Sequence, residues 1–243
     1  MNYEGAKVEA VCELMPYPGG LTRNIVQCLE DFDIPLYLST TVVQIHGDKR
    51  LTGVTIAQVD DLRRPIAGTE RHIPCDTLLL SVGLIPENEL TRGAGVPMDP
   101  ITGGAIVDEN CQTQIPGIFA CGNVLQVHDL VDYVSEEAER AGIAAASLIR
   151  GEERNGQTTA TVAGRGIRYV LPQSIHATDR DVALFFRVTK PFEKVKITVT
   201  QGDRVLAAAR KIKIAPSEME RITVKAGMLE NMDGSVTVSV EEA

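Results

Sequence analysis

The sequence predicts an α/β fold over about its first 150 residues, followed by a separate all-β domain. Up to that point, apolar runs alternate with segments whose apolar residues follow a helical spacing. A polar stretch that contains glycine, GEERNGQ, follows at residues 151–157. Beyond it, apolar and polar residues alternate almost throughout. Because period-two alternation is typical of strands and the wider spacing of helices, the polar stretch separates two architectures.

The α/β part begins with a predicted strand, helix and strand, the units of a sheet with crossover helices. A meander of short strands, one fully apolar strand and a long helix follow. The predicted strands are Lys7–Glu13, Ile34–Leu38, Thr41–His46, Leu51–Val59, Arg71–Ile73, Thr77–Val82, Ile106–Asp108 and Gly117–Cys121. The predicted helices are Leu21–Asp31 and a longer one from about Leu130 to Arg150.

The all-β part covers residues 160–243. Helical periodicity is absent from it, and Gln201-Gly202-Asp203 is typical of a hairpin turn between two strands. The predicted strands are Val182–Val188, Lys194–Thr200, Val205–Ile214, Arg221–Val224 and Ser235–Val240. The simplest architecture for such strands is a small immunoglobulin-like sandwich.

Composition and charge exclude several classes of function. The chain has 243 residues, a formal net charge of −9 and a pI of about 5.0. Nucleic acids and anionic membranes attract basic faces, so neither is an expected partner. The longest apolar run, around Thr77–Ile85, is too short to cross a bilayer. We therefore expect a cytoplasmic protein without membrane insertion.

Cysteine and histidine spacing indicates neither disulfide nor metal chemistry. The five cysteines are an odd number without a CxxC pair, and most lie in apolar stretches. That pattern is typical of buried structural thiols in a reducing compartment. The four histidines lie far from any cysteine pair, so no metal site is expected. No side chain stands out as a catalytic nucleophile or general base.

The most specific pattern is TQIPGIFACGN at residues 113–123. An apolar strand that ends in Gly-Asn places both residues at the carboxyl edge of a sheet, where open α/β sheets bind nucleotides. Gly122 would let a ligand approach the backbone closely, and Asn123 can bind a sugar hydroxyl. For Gly-Asn taken alone, a structural turn is the alternative interpretation.

The whole pattern resembles the second FAD-binding motif of the pyridine nucleotide-disulfide oxidoreductase superfamily. The matching residues are Thr113, Pro116, Ile118, Phe119, Ala120, Cys121 and Gly122. The resemblance implies that the residue after the glycine holds a ribityl hydroxyl of FAD. Asn123 stands at that position, where the family has aspartate.

Two further segments match the same superfamily. Asp76–Pro86, DTLLLSVGLIP, is similar to the segment that joins the NAD domain to the FAD domain, with Gly83 and Pro86 at the expected positions. An ordinary buried strand and turn is the alternative. Glu13 matches the acidic residue that ends the second Rossmann strand and binds the adenosine ribose of NAD. No arginine follows it for a 2′-phosphate, which favours NAD over NADP; a surface carboxylate is the alternative.

His128, Asp129 and Val131 lie between the motif and the long helix. In the family, the start of the matching helix directs free N–H groups at the flavin pyrimidine edge. The resemblance therefore implies that these residues lie at that edge, with a helix cap as the alternative for Asp129. The stretch is similar to flavoprotein subunits of sarcosine, opine and cyanide-forming dehydrogenases, and to companions of anaerobic glycerol-3-phosphate dehydrogenases.

No GxGxxG loop occurs in the sequence, although the superfamily uses one for FAD and one for NAD. The resemblance implies a partial Rossmann-like core: residues 1–82 as the second half of an NAD-binding domain and 83–152 as the C-terminal half of an FAD-binding domain. A second chain that supplies the loops, a shortened gene, and a binding protein that has lost them are three open explanations.

The resemblance implies an FAD-dependent NAD(H) oxidoreductase, in which hydride passes between the nicotinamide and the flavin. A partner subunit or a homo-oligomer is expected, because the ribose and flavin-edge contacts alone should not hold a dinucleotide tightly. The alternative is a non-catalytic docking or assembly subunit that binds no flavin by itself. Asn123 and the absent loops favour this alternative, whereas Glu13 and the FAD-type motif favour the enzyme.

Overall fold

Alternating apolar residues and one alanine-rich helix form most of the regular structure. The computed structural model describes residues 2–152, 157–176, 180–229 and 234–242. The chain divides into two compact units, residues 1–83 and 84–243. Within the described residues, no helix is both long enough and apolar enough to cross a membrane.

The first unit contains two small sheets and a short helix. β1 (Val11–Cys12) pairs in parallel with β2 (Leu36–Tyr37), and α1 (Thr22–Cys28) connects them in sequence. β3 (Thr40–His46), β4 (Gly53–Gln58) and β5 (Arg71–Ile73) form an antiparallel meander. The predicted order of elements is confirmed as far as Ile73, although the first strand is much shorter than predicted.

The predicted strand Thr77–Val82 is wrong, because these residues form no regular strand. Leu80 is 74% exposed and Val82 is 90% exposed. A buried strand needs hydrogen-bonded neighbours, and none of the described strands of the first unit pairs with this segment. The apolar run therefore lies on the surface of its unit.

Turns and isolated bridges dominate the start of the second unit. α2 (Glu89–Gly93) is a short helix that the sequence analysis missed. The predicted strands Ile106–Asp108 and Gly117–Cys121 are wrong as strands, because each contributes only a single antiparallel bridge. The bridges join Val107 to Thr113 and Gln112 to Phe119.

α3 (Val131–Ile149) confirms the predicted long helix. Alanine favours the helical backbone and permits close packing. The buried residues of α3 are Glu137, Ala141 and Ala144, which share one face because they are spaced four and three residues apart. Glu137 is the exception on this face, since a carboxylate is rarely buried without partners.

Two sheets with a shared hydrophobic core follow α3. The five-stranded sheet has the order β11 (Arg204–Ile214), β10 (Phe192–Gln201), β13 (Val236–Glu242), β6 (Thr158–Ala163) and β8 (Ser174–His176). The three-stranded sheet has the order β12 (Glu220–Val224), β9 (Val182–Val188) and β7 (Ile167–Leu171). All five predicted strands are present, and the predicted hairpin at Gln201-Gly202-Asp203 forms, with Gln201 as the last residue of β10. β6, β7 and β8 were not predicted.

A second hydrophobic cluster joins the segment before α3 to these sheets. It contains Val107 and Leu125 from the segment, together with Leu171, Phe185 and Met219 from the sheet region. Residues 84–243 accordingly form one compact unit. The separate domains at 83–152 and 160–243 stay a prediction, and residues 153–156 of the predicted linker lie outside the described residues.

Candidate functional site

The TQIPGIFACGN motif folds as a tight turn, and Gly122 is its last residue but one. The Ile118 N–H donates to Ile115 O at 3.1 Å, and the Thr113 N–H donates to Ile118 O at 2.8 Å. Gly122 has a φ of +74°, a conformation that other residues rarely adopt. A Cβ at this position would lie 3.3 Å from Val134 Cγ1 on α3. Glycine therefore lets the chain turn directly against the helix.

A buried carboxylate on α3 holds the glycine end of this motif. Glu137 Oε2 accepts hydrogen bonds from the Gly122 N–H at 2.6 Å and from His128 Nε2 at 3.0 Å. The Glu137 side chain is only 4% exposed. Because hydrogen bonds to a charged acceptor are stronger than neutral ones, Glu137 fixes Gly122 and His128 in one arrangement.

Asn123 lies at the exposed side of the same turn. Its Oδ1 accepts a hydrogen bond from the His128 N–H at 3.1 Å, which closes the loop between the two residues. The Gln126 N–H donates to Gly122 O at 3.2 Å within that loop. The role of Asn123 at a ligand hydroxyl stays a prediction.

Asn88, which the sequence analysis missed, connects Pro86 to the motif. A Cβ atom added to Gly103 would lie 3.9 Å from Pro86 Cδ, so the two residues are close together. Asn88 is 1% exposed, and its Nδ2 donates to Gly103 O at 3.0 Å and to Val124 O at 2.7 Å. The signal in the sequence was an asparagine two residues after Pro86, but that position also suits a cap for α2. No such cap forms, because the side chain is used in these long-range bonds.

Asp129 is engaged by the sheet region. One carboxylate oxygen accepts a hydrogen bond from Arg187 Nη2, and the other accepts the Met219 N–H. Arg187 also donates to Val127 O at 3.0 Å and to Tyr169 Oη at 3.2 Å. Burial opposes the charge on Arg187, but Tyr169 and Asp129 raise its pKa above the ordinary value. The alternative of a helix cap for Asp129 is wrong, since the N-cap of α3 is Leu130.

Val131 is the first residue of α3 and is 73% exposed. Several buried polar atoms near it and the motif have no hydrogen-bond partner among the described residues. They are Asn88 Oδ1, His128 Nδ1, and both Oε1 and Nε2 of Gln126. Each such atom costs about 1–3 kcal/mol of stability when it stays unpaired.

Glu13 and Gly83 lie in the first unit. Glu13 directly follows β1, and its carboxylate accepts the Met15 N–H at 2.9 Å and the Gly19 N–H at 3.2 Å. Gly83 is exposed with a φ of +99°. Pro86, Gly122, Asn123, His128, Asp129 and Val131 all lie in the second unit. Within that unit, direct hydrogen bonds join Asn123 to His128, and Glu137 joins His128 to Gly122.

The cysteines form no disulfide. The prediction of buried thiols holds for Cys111 alone: Cys28 is exposed, and Cys12, Cys75 and Cys121 are half-buried. Burial raises the pKa of Cys111 to about 11 and also raises the pKa of Cys121. Both thiols beside the motif are therefore protonated near neutral pH and are poor nucleophiles.

Comparison with known proteins identifies the family. The sequence pattern described as "Pyridine nucleotide-disulphide oxidoreductase" matches residues 5–147, which include β1, the motif and almost all of α3. The chain belongs to this family. Its members are oxidoreductases that use FAD and NAD(P)H, and the resemblance inferred from the motifs is confirmed.

Several relatives show how much of the family the chain covers. Thioredoxin reductase of Listeria monocytogenes is 31% identical over 99 residues, which are 40% of this chain and 28% of that protein. Dihydrolipoyl dehydrogenase of Pseudomonas aeruginosa is 30% identical over 156 residues, 63% of this chain and 30% of that protein. The chain thus spans less than a third of the length of these two curated relatives.

A solved structure supports the α/β part of the fold. The crystal structure of T. acidophilum thioredoxin reductase matches 58% of this chain and 44% of its own, with 27% identity and a TM-score of 0.51. The predicted Rossmann-like α/β character is confirmed at this level.

Proposed function

We propose that residues 84–152 form the flavin side of an FAD-dependent NAD(H) oxidoreductase and that phosphate-binding loops outside this sequence complete it. The observation that carries this proposal is the turn at residues 122–128, which a buried Glu137 holds against α3. A turn with a structural role alone does not need a buried carboxylate, a glycine with positive φ and unpaired polar side-chain atoms within the same few residues.

The residues at this turn fit a flavin. Gly122 leaves room for close backbone approach, and the exposed Asn123 amide can donate to a ribityl hydroxyl. His128 and Val131 would border the pyrimidine edge, together with Pro86 from the preceding segment of the same unit. Asp129 contributes only its backbone to this edge, because Arg187 and Met219 use its carboxylate. The bound flavin would accept or donate the hydride.

Glu13 fits the ribose of NAD. Its two carboxylate oxygens each accept one backbone N–H from the loop after β1, which fixes their position. An ionised carboxylate has about four acceptor sites, so ribose hydroxyls can still donate to it. The absence of arginine from Leu14-Met15-Pro16 favours NAD over NADP.

A partner subunit or a second copy of this chain is part of the proposal. The glycine-rich loops that normally hold pyrophosphate do not occur in the sequence, and exposed Leu80, Val82 and Ile85 form an apolar run suited to a protein contact. We assign the two sheets after α3 to an immunoglobulin-like sandwich with a docking role. The free cysteines suit a reducing, cytoplasmic setting.

The absorption spectrum of the purified chain, after FAD addition and desalting, tests the proposal. We expect retained flavin bands that NADH bleaches when a partner or dimer completes the site. Asn123→Asp should retain more flavin and Asn123→Ala less, by about tenfold in affinity for one hydrogen bond to a hydroxyl. Asn24→Asp, at an exposed residue of α1, is the matched control and should change nothing.

The second candidate is a non-catalytic docking or assembly subunit. The missing GxGxxG loops and Asn123 in place of aspartate favour it. It predicts that no flavin remains after desalting, and that Asn123→Asp behaves as Asn123→Ala does. That result, obtained with the natural partner present, would rule out the flavoenzyme.

A further inference from the structure

Asp108, Glu109 and His176 lie close together in the second unit, outside the turn at residues 122–128 that is called the flavin-type turn below. His176 Nδ1 lies 3.2 Å from Glu109 Oε2 and 3.8 Å from Asp108 Oδ2. One ligand atom from each residue lies within 4.8 Å of the other two. Glu109 and His176 are 67 positions apart, so a tertiary contact creates this cluster and histidine–cysteine spacing could not indicate it.

We propose that these three side chains bind one divalent cation of the zinc class. Bonds of about 2.0–2.2 Å to a tetrahedral Zn²⁺ place neighbouring ligand atoms about 3.3–3.6 Å apart. The two measured separations, 3.2 and 3.8 Å, lie on either side of that range. Small side-chain adjustments would therefore bring all three atoms onto one ion, with water as the fourth ligand.

Hydrogen bonds to the other carboxylate oxygens hold the ligands in place. Asp108 Oδ1 accepts the N–H groups of Asn110 and Gln112, both at 2.9 Å. Glu109 Oε1 accepts a hydrogen bond from Asn110 Nδ2 at 2.7 Å. Such outer contacts orient metal ligands in known sites and reduce the cost of ordering them when the ion binds.

Charge and donor type favour a cation of this class. A protonated His176 would bring one positive charge to two adjacent carboxylates, whereas a divalent ion brings two. Calcium and magnesium prefer oxygen ligands alone, and an imidazole nitrogen beside two carboxylates favours zinc or a similar transition metal.

The bound ion would fasten the turn at residues 108–112 to β8. That turn leads directly into the flavin-type motif, but the site does not depend on flavin binding. Binding to the folded state alone would stabilise the protein in proportion to ion concentration.

Calorimetric titration of the metal-free full chain with Zn²⁺ tests the site. We expect one ion per chain with a Kd of about 1 µM or lower and a rise in Tm. His176→Gln and Glu109→Gln should each weaken binding at least tenfold. His72→Gln is the matched control, because the neighbouring His72 and His46 form a separate pair of imidazoles that could also bind a metal ion. Unchanged affinity in His176→Gln, loss in His72→Gln, or no uptake by the natural chain would overturn the proposal.

Cobalt substitution separates this site from binding by cysteines. Co²⁺ held by Asp108, Glu109 and His176 gives visible d–d bands without thiolate-to-metal charge transfer, whereas cysteine ligands give strong charge-transfer bands. Charge-transfer bands would therefore reject the site. Circular dichroism checks the fold of each variant, and Glu109→Gln replaces His176→Gln in the comparison if the histidine variant unfolds.

Discussion

Glu137 shows how one side chain can organise the flavin-type turn. The buried face of α3 otherwise carries alanines, so the carboxylate gains nothing from packing that an apolar residue would not supply. What it supplies is an acceptor shared by the Gly122 N–H and His128 Nε2. Without it, two buried donors would lose their partner in a place that already contains unpaired polar atoms.

Glu137→Gln should lower the free energy of unfolding by about 2 kcal/mol, because charge-assisted hydrogen bonds contribute about 1.5–3 kcal/mol. Urea denaturation measures this value. Glu136→Gln is the matched control: Glu136 is the preceding residue, and its ion pair with Arg221 is exposed. That pair should contribute less than about 1 kcal/mol. Equal losses in the two variants would show that Glu137 does not organise the turn.

The sequence analysis selected Gly122, Asn123 and His128 as candidate site residues, all from one local stretch of sequence. It did not identify Glu137, which stands in the charged run Ser-Glu-Glu-Ala-Glu-Arg and looks like its exposed neighbours. Nor did it identify Asn88, whose partner Val124 is 36 positions away. Local patterns predict local geometry, whereas burial of a polar group depends on contacts distant in sequence.

At the scale of elements, Arg187 on β9 fastens the loop before α3 to the sheets. It donates to Asp129, Val127 O, Pro216 O and Tyr169 Oη. Asp129 in turn accepts the Met219 N–H just before β12. The start of α3 therefore depends on the sheet region for its position, so the sheets support the candidate flavin edge directly.

Asp129→Ala should lower the free energy of unfolding by about 3 kcal/mol, because it leaves the buried Arg187 charge without its carboxylate. Asp181→Ala removes an ion pair with Lys225 at an exposed site and should cost much less, because solvent screens such a pair. Urea denaturation of both variants gives the comparison. If Asp129→Ala costs no more than Asp181→Ala, the sheets do not fix the start of α3.

The elements that were predicted correctly are those whose pattern is local. Val182–Val188 matches its predicted bounds because every second residue, from Val182 to Val188, is apolar and packs in the main hydrophobic cluster. Thr77–Val82 failed for the opposite reason: a uniformly apolar run indicates burial between neighbouring strands, but it does not supply those strands. The apolar run at residues 77–82 would need neighbouring strands in order to be buried, and none of the described strands of the first unit pairs with it.

At the scale of the whole molecule, the unpaired apolar run at residues 77–82 predicts that the chain associates with another chain. Leu79, Leu80 and Val82 are each at least 66% exposed. Contiguous exposed apolar surface commonly marks a site of protein contact. We therefore expect a second copy of this chain to cover these residues.

The double variant Leu80→Lys, Val82→Lys should therefore reduce self-association of the purified chain. Two lysines add charge to the contact, and burying a charge without a partner is strongly unfavourable. Sedimentation velocity over a range of concentrations measures the shift toward the monomer. Leu62→Lys is the control, because Leu62 is 69% exposed in a separate turn of the same unit. A natural chain that is already monomeric throughout the range, or a double variant that sediments as the natural chain does, would exclude this segment as a surface for self-association.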